Sequence, residues 1–579
     1  MSKLTYNKKG DTILEIFLNN LGKSSLDEVN EMFQKSYDDG YLIKDMDKAT
    51  SLIKKHKEDI IYIFGDYDAD GITSTSILYL GLKKLGYKPL YLIPKRHTEG
   101  FGLNKGMVDK AVSKGAALII TCDNGTAQTD VVTYAKKRGL DVLITDHHEG
   151  SSETDADVII NPNAVKDQCE FTGYCGAGIA YKVIRALLKA EGVKDKTLLN
   201  KCLSLCAIGT IADVMELKKE NYVFVKNGMK KLQNPRTTTL PLYTLACAFG
   251  LEHHMSAKDI GFKLGPVINA QSRLIDDGAM EVVDFLVNEN RSYAEITKIC
   301  EKFISRNDVR KGLKREYTKK ANDYISENCL WGDVPIIVRL DDCPEGIIGI
   351  IAGHLVEKYR VPVLVLCNSL EDENILKGSG RSVDGYNIYE TLKAVDGLSI
   401  ESNTDDESVF TRYGGHEGAC GFSIKKEKFE EFVSLMTANV PEGFKPAEVE
   451  EIEYNLEISA KDLNKNIEEL ERYEPWGNGN PMPVFKVNDF EVVPKNGKWA
   501  TVVSDTILKL CGTKGTAIGF DMVDKVKKEI KKANLIGQIS NNYFNGTITP
   551  QVEFNYLEEV ESVKTLTPLA DKLRKMAEK

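Results

Sequence analysis

The chain has 579 residues, of which 42% are hydrophobic and 28% charged, and a formal net charge of −10. That length allows about three or four domains at roughly 100–200 residues each, with the composition of a globular protein. The acidic balance argues against a protein that coats nucleic acid indiscriminately, although a local basic groove remains compatible with it. No amino-terminal run reads as a signal peptide and no apolar stretch approaches membrane-spanning length, so a cytoplasmic protein without membrane contact is expected. The twelve cysteines fall in no CxxC or Cys/His zinc pattern and are expected to be reduced packing residues.

In chain order, residues 1–45 are expected to be a helical segment. Strand and helix patterns then alternate over 46–279: IIYIF (60–64), PLYLI (89–93), ALIIT (117–121), DVLIT (141–145) and the strand of DVIINP (157–162). Such alternation predicts an α/β domain with a largely parallel sheet. Helical stretches follow, and residues 280–328 read as one charged, solvated connecting helix. A second α/β pattern occupies 329–443. Short strand candidates over 444–560 suggest a small β-barrel, and 561–579 a charged helical tail.

The first strand runs into DYDADG (66–71). D-x-D-x-D-G also opens a calcium-binding EF-hand loop, but there position twelve should be a Glu and two helices should flank the loop. Here position twelve is Ile77 and a strand precedes the loop. What remains is a strand, an acidic turn and a helix. The next strands behave alike: ALIIT runs into Cys122-Asp123-Asn124-Gly125, and DVLIT into Asp146-His147-His148-Glu149. In a parallel sheet these carboxyl ends share one edge, so the loops converge. One Asp after a strand is usually a cap or turn former; three such loops together point to metal ligation. Carboxylates and imidazoles without thiolates suit Mg2+ or Mn2+. A carboxylate shared by two cations about 3.5–4 Å apart makes a clamp that activates water and stabilises both oxygens of an in-line phosphoryl displacement. Asp123, alone on the central strand, is the candidate bridge.

In order, DYDADG, TCDNG, ITDHHE and GTIADVMEL resemble the four motifs of the DHH phosphoesterase superfamily and, within it, the RecJ family of single-strand-specific 5′→3′ DNA exonucleases. The resemblance runs from about Ile60 to Tyr556. It implies that Asp66, Asp68, Asp70, Asp123, His147 and Asp213 hold two divalent metal ions, with Asp123, His147 and His148 as catalytic residues and His148 close to the scissile phosphate. One departure is visible: several superfamily members carry a metal-binding His where this chain has Phe64, which puts the division of ligands between the metals in question.

On the substrate side, IPKRHTEGFGLN resembles the RecJ segment whose Arg, here Arg96, contacts a terminal 5′ phosphate and whose aromatic, here Phe101, helps bar a duplex. GPVINAQSRL makes Asn269 and Arg273 candidate substrate contacts. KGSGRSVDGYNI and YGGHEGACGFSI resemble the DHH-associated domain and assign Ser379, Arg381, Gly414, Gly415 and His416 to phosphate binding. EPWGNGNPMPVFKV resembles the opening of an OB-fold that binds single strands through a basic groove and stacking aromatics.

The implied protein is a monomeric, metal-dependent 5′→3′ exonuclease of single-stranded DNA, releasing 5′ mononucleotides in recombination and repair, with a single-strand-binding protein and a helicase as partners. Two alternatives stand beside it: an oligoribonucleotide or cyclic-dinucleotide phosphodiesterase, which would have little use for the barrel, and a non-catalytic replication scaffold, which would have no need of the full acid and His set.

Overall fold

The computed structural model describes residues 3–560 except 40, 151–152, 403–407, 447–450, 496, 505–506, 521, 524–528 and 545–546. The tail expected to be helical, 561–579, lies outside the described residues. The chain forms two compact units, one of residues 32–448 and one that joins residues up to Glu31 with those from Val449 onward.

The amino-terminal segment is mainly helical, as expected, with one strand added at its start. It opens with a strand, β1 (Lys3–Tyr6), before its helices Ile13–Leu21 and Leu26–Tyr37. β1 pairs in parallel with a strand from the far end of the chain, described below, and such a partner leaves no local trace in the sequence.

In the larger unit, five parallel strands lie in the order β3-β2-β4-β5-β6: β2 (Ile60–Phe64), β3 (Lys88–Leu92), β4 (Ala116–Cys122), β5 (Asp141–Thr145) and β6 (Val158–Ile160). β2 and β4 are apolar along most of their length because both faces of the sheet are covered. Phe64 is fully buried and stacks on Tyr62 at 5.0 Å, packed with Met107, Val108 and Ile144. On the other face α1 (Ala69–Lys84) packs against α2 (Gly176–Ala190) and α3 (Lys196–Ala212).

The stretch expected to be one connecting helix is two. Following α4 (Gly265–Leu274), α5 (Gly278–Val287) buries Val282, Val283, Phe285 and Leu286 in the main core. The connecting helix α6 starts only at Tyr293 and runs 35 residues to Glu327. Ser292 and Glu295 form a capping box at its start, the boundary signal that the run of charged residues obscured.

The second α/β domain has a mixed five-stranded sheet, β10-β11-β9-β8-β7, from β7 (Ile336–Arg339), β8 (Val363–Asn368), β9 (Ile375–Arg381), β10 (Phe410–His416) and β11 (Ala419–Lys425). Only β7 and β8 are parallel, joined through α7 (Glu345–Tyr359).

In the smaller unit, β12 (Glu451–Tyr454) is the partner of β1. The remaining strands form a seven-stranded mixed sheet in the order β13-β14-β18-β19-β17-β16-β15: β13 (Leu456–Ser459), β14 (Phe485–Glu491), β15 (Ala500–Ser504), β16 (Ile507–Gly512), β17 (Gly515–Phe520), β18 (Lys532–Phe544) and β19 (Thr547–Glu559). Phe485, Phe490, Leu510 and Phe554 are fully or almost fully buried.

Candidate active site

The carboxyl ends of β2, β4 and β5 meet the end of α3. Asp68 caps α1, its Oδ1 accepting from the backbone N–H groups of Asp70 (2.9 Å) and Gly71 (3.0 Å). The cap turns Asp66 and Asp70 inward, where both are buried. The glycine closing DYDADG is required by contact: a Cβ there would lie 2.4 Å from the carbonyl oxygen of Asp66. Asp70 accepts from the N–H groups of Gly176 (2.6 Å) and Ala177 (2.9 Å) at the start of α2.

Asp123 follows β4 with a left-handed φ of 64°, a conformation Asp tolerates better than most residues. His147 Nε2 stands 3.0 Å from Asp123 Oδ1, 3.6 Å from Asp213 Oδ2 and 3.8 Å from Asp70 Oδ2. Asp213 is delivered by the C-cap of α3. Gly209, one turn earlier, lets that helix approach, since a Cβ there would sit 2.4 Å from Asp70 Oδ1.

The donor atoms form three overlapping sets within cation-binding reach: Asp66, Asp68 and Asp123; Asp70, His147 and Asp213; and Asp123, His147 and His148. Asp123 belongs to two of them. Asp66 Oδ1, Asp123 Oδ1 and His147 Nε2 are buried without a hydrogen-bond partner. A single buried, unsatisfied polar atom costs about 1–3 kcal/mol, and more when charged, so three in donor sets linked through Asp123 are an incomplete arrangement. All the ion pairs of Asp70, Asp123 and Asp213 among the described residues are with His147 or His148.

The electrostatics agree. Burial, followed by mutual repulsion, raises the pKa values of Asp66 and Asp123 well above the usual carboxylate range, Asp70 to about 6 and Asp213 to about 8. Burial holds His147 down to about 4, so its imidazole is a neutral donor atom. An oxygen-rich set with one neutral imidazole fits Mn2+ or Mg2+. Phe64, buried in the core, offers no ligand, and Asp66 stands in a donor set with Asp68 and Asp123.

His148 differs from its neighbour. Burial works against its charge, but the 2.8 Å hydrogen bond between its Nδ1 and Asp146 Oδ1 outweighs that and lifts it to about 9. Asp146 also accepts from the N–H groups of Thr126, His147 and His148; the hydrogen bond and charge of the His148 ring, helped by Thr126, keep it at about 2 in spite of burial. Asp146 thus orients the pair of histidines, a role the sequence reading did not separate from ligation.

Of the substrate-side residues, Phe101 places its ring 5.4 Å from that of His148. Arg96 lies over the ring of Tyr67 at 4.5 Å, and its Nη1 is buried without a partner. Tyr67, a residue the motif reading passed over, thereby holds a cation beside the metal loop. Asn269 commits its Oδ1 to the N–H of Ala69 (2.8 Å), tying α4 to the start of α1. Arg273 donates Nη1 to Gly346 O (3.0 Å), joining α4 to α7. In β9, Arg381 Nη1 reaches Ser379 Oγ (3.3 Å) and Gly380 O (2.8 Å). Gly414, Gly415 and His416 lie on the edge strand β10, and Gly414 faces Gly421, which faces Ser379 in turn. His416 is exposed and its Nδ1 accepts from the N–H of Gly418 (3.2 Å).

Comparison with known proteins agrees with this architecture. Residues 60–210 match the amino-terminal domain of the DHH family, 333–442 the DHHA1 domain and 454–556 the RecJ OB domain. A relative in Salmonella typhimurium, the single-stranded-DNA-specific exonuclease RecJ, is 32% identical over 73% of this chain and 74% of its own. Its counterpart in Haemophilus influenzae is 29% identical over 86% of this chain and 88% of its own. The crystal structure of RecJ from Thermus thermophilus in complex with Mn2+ matches with a TM-score of 0.71 and 25% identity, over 90% of this chain and 72% of that one.

Proposed function

Because the chain belongs to the RecJ family of single-stranded-DNA-specific exonucleases, we propose that it hydrolyses single-stranded DNA from the 5′ end and releases 5′ mononucleotides. The observation that carries the reading is the convergence of Asp66, Asp70, Asp123, His147 and Asp213, with three buried donor atoms left unsatisfied, in a chain whose relatives extend beyond the DHH pair of domains through the barrel. That extension favours a long strand over a dinucleotide, and a scaffold would have no reason to hold unsatisfied acids together.

Asp66, Asp68 and Asp123 would hold one divalent ion and Asp70, His147 and Asp213 the other, with Asp123 reaching both. The bound metals supply water activation and charge stabilisation at the phosphate. The residues of the chain do the rest. Asp146 fixes His148 through Nδ1 and keeps it protonated, which leaves Nε2–H as the donor to a phosphate oxygen. Water adds to the phosphorus of the second nucleotide, the bond to the 3′ oxygen of the first breaks, and that oxygen leaves with a proton. The shortened strand again begins with a 5′ phosphate. Arg96, Ser379 and Arg381 hold that end phosphate, and Phe101 narrows the approach to a single strand. The OB domain over residues 454–556 would add contacts to the single strand through a basic groove and stacking aromatics. A cytoplasmic monomer that works behind a helicase and a single-strand-binding protein fits this chemistry, since a duplex must be opened first.

The test is Mn2+-dependent digestion of 5′-phosphorylated, 3′-labelled single-stranded DNA beside the Asp123→Ala protein. Stepwise shortening from the 5′ end, absent in the variant, is expected. Equal digestion of blunt duplex, or intact single strands, overturns the reading.

A further inference from the structure

We propose that Arg310, on the connecting helix, is a further guanidinium of the pocket that takes the 5′-terminal phosphate, and that it sets the preference for a phosphorylated over a hydroxyl end. The inference rests on the exonuclease reading above.

The register of α6 locates Arg310. The helix passes α4 at Gln271, whose Nε2 donates to Phe303 O (3.1 Å) and whose Oε1 accepts from Arg306 Nη1 (3.2 Å). Further on, Tyr317 Oη donates to Asp342 O (2.7 Å), just ahead of α7. At 1.5 Å per residue, Arg310 lies about 6 Å beyond Arg306, on the same face, and about 10 Å short of Tyr317. Between Gln271 and Asp342, that level of the packed surface is occupied by Arg273 and Gly346. α4 and α7 touch there through backbone, since a Cβ on Gly346 would lie 2.0 Å from Arg273 O.

Two cations near Arg310 on α6 have partners. Arg306 pairs with Glu281 at 2.6 Å and Lys311 with Asp308 at 3.0 Å. Arg310 pairs with no carboxylate among the described residues, and its Nε is buried without a hydrogen bond. The same holds for the Nη1 of Arg96. Burial depresses Arg310 and Arg381, and Arg273 is depressed by burial together with the charges of Arg96, Arg310 and Arg381. Arg273 thus feels the charges of Arg96, Arg310 and Arg381, against which Asp68 is the one acid acting on it, and the buried Arg310 Nε and Arg96 Nη1 have no hydrogen-bond partner: the group has donors and positive charge to spare for a multivalent anion. A terminal phosphate carries nearly two charges near neutral pH, an internal one carries a single charge, and a 5′ hydroxyl brings none. Arginine suits the task because its fork meets two phosphate oxygens at once.

The experiment compares Arg310→Gln, Arg310→Lys and wild type on the same oligonucleotide with a 5′-phosphate or a 5′-hydroxyl. Initial rates give KM and kcat, and fluorescence anisotropy in the Asp123→Ala background gives binding without turnover. The expected result is a fall of about tenfold or more in the phosphate-to-hydroxyl ratio for Arg310→Gln, carried by KM and by binding, with partial recovery in Arg310→Lys. Equal losses on both ends would make Arg310 a packing residue and overturn the proposal, as would an unchanged ratio. Wild type that digests both ends equally would sink the pocket while leaving the exonuclease intact. Failure of wild type to digest DNA would instead sink the exonuclease reading. If Arg310→Gln melts early, the ratio for Arg310→Lys decides.

Discussion

Two sets of buried acid in the same domain have opposite surroundings. Glu220 is fully buried, and every direction around it is answered: Lys182 Nζ donates at 2.7 Å and Ser36 Oγ at 2.9 Å, Tyr174 Oη donates as well, and Arg185 stands at 3.7 Å. Asp66, Asp70 and Asp123 are as deep, yet the cations paired with Asp70 and Asp123 are histidines, one of them neutral. Burial of an acid therefore says little about function. What separates a structural acid from a metal ligand is whether the protein itself supplies the compensating charge.

The comparison breaks most sharply at Asp123. Asp123→Ala is expected to cost at least about 10³-fold in Mn2+-dependent digestion, because its carboxylate belongs to two ligand sets. The melting temperature of the metal-free variant should stay level or rise, since a repelled buried group has been removed. A metal-free variant that melts well below wild type would put Asp123 in the same class as Glu220.

Lys182→Met is the complementary test. It leaves the carboxylate of Glu220 buried with its principal cation gone, a loss of about 3–5 kcal/mol. Chemical denaturation should show a lowered midpoint, while activity per folded molecule persists. Loss of activity without loss of stability would overturn the structural assignment of the pair.

The sequence made the acidic centre legible because Asp66, Asp70, Asp123 and His147 sit at or just beyond strand ends, where a parallel sheet gathers them by rule. Asp213 came only through resemblance: it caps a helix, and nothing in GTIADVMEL marks its last turn as facing Asp70 until Gly209 is seen to clear the way. Asp146 was read as one more acid in a loop, because orientation of His148 through Nδ1 is a matter of distance rather than residue type. The strand Lys3–Tyr6 escaped because its partner is remote. Arg310 escaped because a charged helix face looks solvated until one knows which residues it packs against.

Acidity provides a finer measurement of the comparison. Asp70 at about 6 and Asp213 at about 8, with Asp66 and Asp123 also raised, lie above the value of about 3.9 expected in the unfolded chain. Between those limits the folded, metal-free protein holds more protons than the unfolded one, so its stability falls as pH rises from about 4 through 8. Metal replaces those protons, and stabilisation by Mn2+ should therefore grow from pH 5 to pH 8. Hundredfold saturation of one site corresponds to about 2.7 kcal/mol. Melting curves with and without chelator at each pH check this; a metal effect that shrinks toward pH 8 would mean the acids are compensated from within.

The smallest expected effect concerns His148, where an acid does have an internal partner beside the unsatisfied set. Asp146 raises the pKa of His148 to about 9, above its unfolded value of about 6.5. The stabilisation from that pair is complete below about 6.5 and is lost as pH rises through about 9. Asp146→Asn removes the charge and keeps the shape, so His148 should titrate nearer its unfolded value. The alkaline limb of the rate profile then moves toward acid, with a loss of about tenfold at pH 8 that is largely recovered at pH 6. Titration of the His148 ring by NMR in metal-free protein measures the shift directly. A uniform loss at every pH would mean that Asp146 acts by holding the loop in place, and that the charge on His148 plays no part in turnover.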